Sequence, residues 1–66
     1  MKEVYDIIIE KLERDKLKFA SEIYEVIDNI DYDDISRIRY YKAKANKDYA
    51  EDLILFFKEV RDNLWN

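Results

Sequence analysis

The side chains behind most enzyme chemistry are missing from this chain of 66 residues. It contains no cysteine and no histidine, which excludes the nucleophile–base pairs of hydrolases and the usual ligands of zinc and haem. It also contains no glycine, so a glycine-rich phosphate loop is excluded. We therefore expect no catalytic residue, no metal site, no cofactor and no enzymatic activity.

The remaining candidates for acid–base chemistry are adjacent carboxylates, Asp33 with Asp34 and Glu51 with Asp52. General acid–base catalysis needs a pocket that shifts the pKa of such groups, and a small helical protein offers little concave surface. The acidic run from Asp28 to Asp34 lacks the central glycine of a calcium-binding loop. We interpret these carboxylates as solvated side chains.

Composition predicts that these side chains are carried by long helices. Glycine and proline are both absent, and tight turns depend on them. Hydrophobic residues make up 48% of the chain and charged residues 42%, a mixture typical of amphipathic helices. The length allows one domain, which we assign to residues 1–66.

Apolar residues that recur every three or four positions predict a first helix from about residue 2 to about residue 29. Its proposed packing seam comprises Tyr5, Ile9, Leu12, Phe19, Ile23, Val26 and Ile30, with Lys16 in the one gap. The segment 13–18 is the weak point, because Asp15 could cap a new helix there.

A turn is predicted at residues 29–34, where Asp33 or Asp34 can cap a second helix. That helix is expected to run from about residue 34 to about residue 64. Its proposed seam comprises Ile35, Ile38, Tyr41, Ala45, Tyr49, Leu53, Phe56, Val60 and Leu64. Asp48 and Glu51 have the spacing of a capping box, so a break near residue 47 is the alternative.

The expected architecture is an all-α antiparallel hairpin of two long helices that dimerises into a four-helix bundle. A three-helix bundle with a break near residue 15 or 47 is the alternative. Residues 53–57 are apolar around the whole helix, so they need cover on several sides. Leu55 and Phe57 are the best candidates for a surface beyond the hairpin's seam. The residues expected at an interface are Leu53, Leu55, Phe56, Phe57, Val60, Leu64 and Trp65.

Charges occur in blocks. Residues 19–34 carry acids only and residues 35–47 carry bases only, so the two blocks are expected to face each other across the turn and to set its register. The basic block, with its aromatic neighbour, could instead bind nucleic acid through Arg37, Arg39, Tyr40, Lys42, Lys44 and Lys47. The acidic block could imitate nucleic acid through Glu22, Glu25, Asp28, Asp31, Asp33 and Asp34.

The sequence thus favours a non-enzymatic protein–protein interaction or regulatory module that forms a homodimer and binds another protein. A nucleic-acid-binding accessory protein and an acidic inhibitor that mimics nucleic acid are the alternatives. The net charge of −4 disfavours binding to nucleic acid or membranes by the chain as a whole. Without a membrane span or signal peptide, we expect a soluble, cytoplasmic protein. The abundance of Ile, Lys, Asp and Tyr indicates an AT-rich genome, that of a low-GC bacterium, an archaeon, or one of their viruses or mobile elements.

Overall fold

The computed structural model describes residues 2–64 as two antiparallel helices. The first, α1, spans Lys2–Val26 and continues into a 3-10 turn at Ile27–Asn29, while the second, α2, spans Asp34–Asn63. The helices pack along their length into a body measuring 51 × 14 × 12 Å. Helices account for 92% of the described residues, and no strand occurs between residues 2 and 64. The predicted all-α hairpin is confirmed, with helix ends close to the predicted residues.

Both helices are continuous through the points at which a break was considered. Lys16 in α1 and Lys47 in α2 each hold a half-buried position on the face between the helices. Their ammonium groups lie 3.8 Å and 3.3 Å from the same Oε1 of Glu51. Because a lysine stem can lie against apolar side chains while its charge reaches solvent, neither residue interrupts its helix. The three-helix alternative is therefore wrong for the described residues.

The turn reverses the chain without glycine. The backbone amides of Tyr32 and Asp33 both donate to the carbonyl oxygen of Asn29, at 3.1 Å and 3.0 Å. Asp33 is extended, and its carboxylate accepts hydrogen bonds from the Ile35 amide and the Ser36 hydroxyl, both at 3.0 Å. No residue from 2 to 64 has a positive φ, so nothing in this turn requires glycine. The predicted cap falls on Asp33.

The packing seam predicted for α1 is confirmed. Each of its residues is buried or half-buried, with Ile9 and Val26 the most enclosed. Several of these side chains are bulky, so they project far from the axis of α1. Such a face packs closely against a helix whose facing residues are small.

The seam predicted for α2 is wrong. Ile35, Ile38 and Tyr49 are 69%, 66% and 66% exposed. The face of α2 that meets α1 is a different one, here called the inner seam. It steps in fours and threes through buried or half-buried residues: Ser36, Tyr40, Ala43, Lys47, Ala50, Ile54, Phe57 and Arg61. Ser36, Ala43 and Ala50 are small enough to accommodate the bulky side chains of α1, which explains why this less hydrophobic face is buried.

Ion pairs between the helices fix the register of the hairpin. Arg61 donates to Asp6 at 2.7 Å near the open end, and this hydrogen bond raises the pKa of Arg61 above its ordinary value. Lys58 pairs with Glu13 at 3.6 Å. Arg39 reaches Glu22 at 3.4 Å, close to the turn. Exposed pairs of this kind contribute only ~0–1 kcal/mol each, so they select an alignment more than they stabilise it.

Candidate protein interface

The apolar residues that were expected to hold the hairpin together form a second, outward face of α2. We call this set the outer stripe: Ile35, Ile38, Tyr41, Ala45, Tyr49, Leu53, Phe56, Val60 and Leu64. At 100° per residue, its centre lies roughly 130° around the helix from the centre of the inner seam. α2 therefore has two apolar faces, and α1 covers only the inner seam.

Most of the outer stripe is open to solvent. Six of its side chains are at least half exposed, Ala45 is exposed, and Leu53 and Val60 are half-buried. The stripe extends roughly 40 Å at a rise of 1.5 Å per residue. Isolated apolar residues on a surface are ordinary, whereas a contiguous apolar face indicates a binding site.

Aromatic contacts link the two faces of α2. The rings of Phe56 on the outer stripe and Phe57 on the inner seam meet edge-to-face, with centroids 5.3 Å apart. Phe57 in turn lies 6.1 Å from the ring of Tyr5 on α1. Tyr40 and Tyr41 make a similar edge-to-face contact at 5.4 Å. These contacts hold Tyr41 and Phe56 against rings that α1 helps to position, so the outer stripe presents pre-oriented aromatic groups.

Two opposite charges lie within the outer stripe. Lys42 falls between Tyr49 and Leu53 on the helical wheel, and Asp52 falls between Tyr41 and Ala45. Lys42 and Asp52 are both exposed. Neither forms an ion pair with any residue of the described part of the chain. Lys42 belongs to the predicted basic block, and no prediction from the sequence connects it with Asp52. The regular spacing of residues 35, 38, 42, 45, 49, 52 and 56 is the sequence signal that joins them.

The residues predicted for an interface are distributed over three places. Phe56 and Leu64 are exposed on the outer stripe, and Leu53 and Val60 are half-buried at its edge. Phe57 belongs to the inner seam, so it is not a surface beyond the hairpin. Leu55 is 67% exposed and borders a shallow groove between the helices. Trp65 lies outside the described residues.

The structure does not gather the predicted nucleic-acid-binding residues into one surface. Arg37 is engaged by Asp34 and by the carbonyl oxygen of Ile30, and Arg39 by Glu22 and Glu25. Tyr40 and Lys47 are half-buried in the inner seam. Lys42 and Lys44 are left exposed, with no ion pair inside residues 2–64. They lie on nearly opposite sides of α2, roughly 160° apart at 100° per residue.

The predicted acidic face is also partly engaged within the hairpin. Glu22 and Glu25 pair with Arg39, Asp34 pairs with Arg37, and Asp33 caps α2. The sequence predicts that the acidic and basic blocks face each other across the turn, and the ion pairs of Arg39 with Glu22 and Glu25 show this contact. Of the six acids, Asp28 and Asp31 are exposed without an ion pair in the described region.

Two open grooves lie beside the seam between the helices. Glu13, Lys16, Glu51 and Lys58 border one groove, and Tyr24 and Lys47 border the other. In the first groove each carboxylate is paired with a lysine. Residues 2–64 hold no group of three or more potential metal-ligating side chains. In the same range, neither helix combines the length and apolar character needed to cross a membrane.

Comparison with known proteins adds no further constraint. The chain matches no protein-family profile, no curated protein and no solved structure.

Proposed function

We propose that this chain is a non-enzymatic protein-interaction module that binds a helical partner through the outer stripe of α2. One observation carries the proposal: most of the more hydrophobic face of α2 is exposed, while a face built on Ser36, Ala43 and Ala50 holds the hairpin together. An apolar face whose residues recur every three or four positions can pack against the side chains of another helix.

The small size of the buried core supports the same proposal. Among the described residues the buried apolar side chains are Ile9, Val26, Ala43, Ala50 and Ile54, and none of the larger ones is below 2% exposure. A chain of this length has difficulty enclosing a sufficient core, and association is one way to add buried apolar surface. Binding through the outer stripe would supply that surface.

Site-specific photo-cross-linking tests the proposal. A benzophenone amino acid replaces Phe56 on the outer stripe, and in a matched control it replaces Tyr24, an aromatic residue of α1 that is 80% exposed. We expect protein adducts at position 56 in several-fold excess over position 24, with either a second copy or another protein. Equal yields at the two positions, or no protein adduct at position 56, would overturn the proposal.

The nucleic-acid alternative depends on the two cations of the predicted basic block that carry no ion pair within residues 2–64, Lys42 and Lys44. Phosphate binding by several cations gives an affinity that falls steeply with salt, so a mobility shift with DNA or RNA over a range of salt concentrations tests this function. An acidic inhibitor would depend on Asp28 and Asp31, and neutralising both would abolish its inhibition. The cytoplasmic location and the origin in a virus or mobile element belong to the proposal as well, and fractionation of the source cells tests the location.

A further inference from the structure

We propose that the partner of the outer stripe is a second copy of this chain, packed with its α2 antiparallel to the first and with a twofold axis at residue 47. This inference rests on the proposed function, because it names the occupant of the same surface. It is argued from the order of charges and side-chain sizes along the stripe.

The face of the outer stripe, with Lys42 and Asp52 included, contains a regular heptad register. Residues 35, 38, 42, 45, 49, 52 and 56 step alternately by three and four, as the a and d positions of paired helices do. In an antiparallel pair each a position lies level with a d position of the other helix, so the numbers of opposed residues have a constant sum. The alignment is therefore fixed once one opposed pair is known.

Charge complementarity selects that pair. Lys42 at an a position and Asp52 at a d position are the charged members of this register between residues 35 and 56. Both are exposed and without an ion pair in the described part of the chain. If Lys42 lies opposite Asp52 of a second copy, twofold symmetry places Asp52 opposite Lys42 of that copy. Two opposite-charge pairs then form at once, each surrounded by apolar side chains.

The same alignment matches side-chain sizes along the stripe. Ala45 comes opposite Tyr49 of the second copy, so a small residue meets a large one on each side of the axis. Ile38 comes opposite Phe56, which joins two exposed apolar side chains. The surface is thus self-complementary, as the interface of a twofold dimer must be.

A parallel dimer in register is disfavoured by the same residues. It would place Lys42 against Lys42 and Asp52 against Asp52, and like charges in contact across an interface oppose association. The charge order therefore favours the antiparallel arrangement over the parallel one.

Charge reversal combined with sedimentation velocity tests the inference. The wild-type chain is expected to sediment as a dimer at micromolar concentration. Lys42→Asp and Asp52→Lys each replace two attractive pairs by two repulsive ones, and each is expected to raise the dissociation constant roughly ten- to hundredfold. An equimolar mixture of the two variants, and the double variant, should both recover the wild-type dissociation constant because each rebuilds the opposite-charge pairs.

The control is Lys44→Asp, which reverses an exposed lysine on another side of α2 and should leave dimerisation unchanged. Circular dichroism of every variant verifies that the hairpin is folded. A wild-type chain that stays monomeric at about 50 µM contradicts the inference. So do single variants that dimerise like the wild type, which is the result a parallel dimer would give. A monomer whose position 56 still cross-links to another protein refutes self-pairing but leaves the proposed function standing, whereas the absence of any adduct refutes both.

Discussion

Small side chains decide which face of α2 meets α1. Ala43 is 1% exposed and lies in the inner seam, whereas Ala45, two residues later, is exposed on the outer stripe. The two alanines have the same helix propensity and lie on the same helix. Their different surroundings therefore allow a direct test of the assignment of the two faces.

Ala43→Leu is expected to destabilise the hairpin by about 1–3 kcal/mol, because additional methyl groups in a closely packed seam force side chains out of their preferred rotamers. Ala45→Leu should change stability by less than ~0.5 kcal/mol, since its side chain enters solvent. Urea unfolding followed by circular dichroism measures both. The Lys42→Asp background weakens any self-association that would otherwise contribute to the measured stability. Equal losses in the two variants would show that the inner seam is wrongly assigned.

Asp33 is a second position at which one side chain has a defined role. Its carboxylate accepts hydrogen bonds from the Ile35 amide and the Ser36 hydroxyl. Asp33→Ala should therefore lower the free energy of unfolding by about 1 kcal/mol, the usual effect of losing an N-cap. Asp31→Ala is the matched control, because Asp31 is an exposed acid of the same turn whose side chain has no hydrogen bond within residues 2–64. Thermal unfolding compares them, and indistinguishable midpoints would contradict the capping role.

At the scale of the helices, the sequence predicts α1 and the turn well. The apolar seam of α1 has one regular phase, and its residues are the ones buried in the structure. The aspartates of residues 31–34 and the change in charge mark the turn, because aspartate is a strong N-cap and acidic groups favour the positive end of a helix. Local chemistry was sufficient for these features.

The orientation of α2 could not be obtained in the same way. α2 carries two sets of residues that recur every three or four positions. The more hydrophobic set, with Ile35, Ile38 and Phe56, is the exposed one. Ranking faces by hydrophobicity therefore selects the wrong face. The correct choice depends on the fit of bulky α1 residues against Ser36, Ala43 and Ala50, which is a property of two helices together. For the same reason Phe57, which the sequence predicts at a surface beyond the hairpin, lies in the inner seam.

The continuity of α2 through Asn46–Asp48 is open to direct measurement. An unbroken helix leaves the amides of residues 48–51 hydrogen-bonded to carbonyl groups four residues earlier. Native-state hydrogen exchange should thus show protection there similar to that of residues 42–45. A capping box at Asp48 would satisfy the amides of residues 48 and 51 through side chains and leave those of residues 49 and 50 open to solvent. Exchange at residues 49 and 50 as fast as at Asp31 in the turn would contradict the continuous helix.

At the scale of the molecule, the hairpin is a narrow rod with a partly enclosed core. Its dimensions of 51 × 14 × 12 Å are those of two helices packed side by side. The outer stripe runs along one edge of this rod. Because the two apolar faces of α2 are roughly 130° apart, wider than the 90° of a square bundle, self-pairing places both α2 helices at the centre and both α1 helices outside. The expected four-helix bundle then becomes a more open arrangement of four helices.

This arrangement predicts the length of the dimer. The midpoint of α2, which spans Asp34–Asn63, lies between residues 48 and 49, close to the proposed axis at residue 47. The two α2 helices are then offset by about three residues, or about 4.5 Å. Small-angle X-ray scattering should consequently give a dimer only about 5 Å longer than the monomer, with nearly all the added mass in its width. The Lys42→Asp variant supplies the monomer curve. A maximum dimension close to twice that of the monomer would mean that the hairpins associate end to end, and the outer stripe would then remain uncovered.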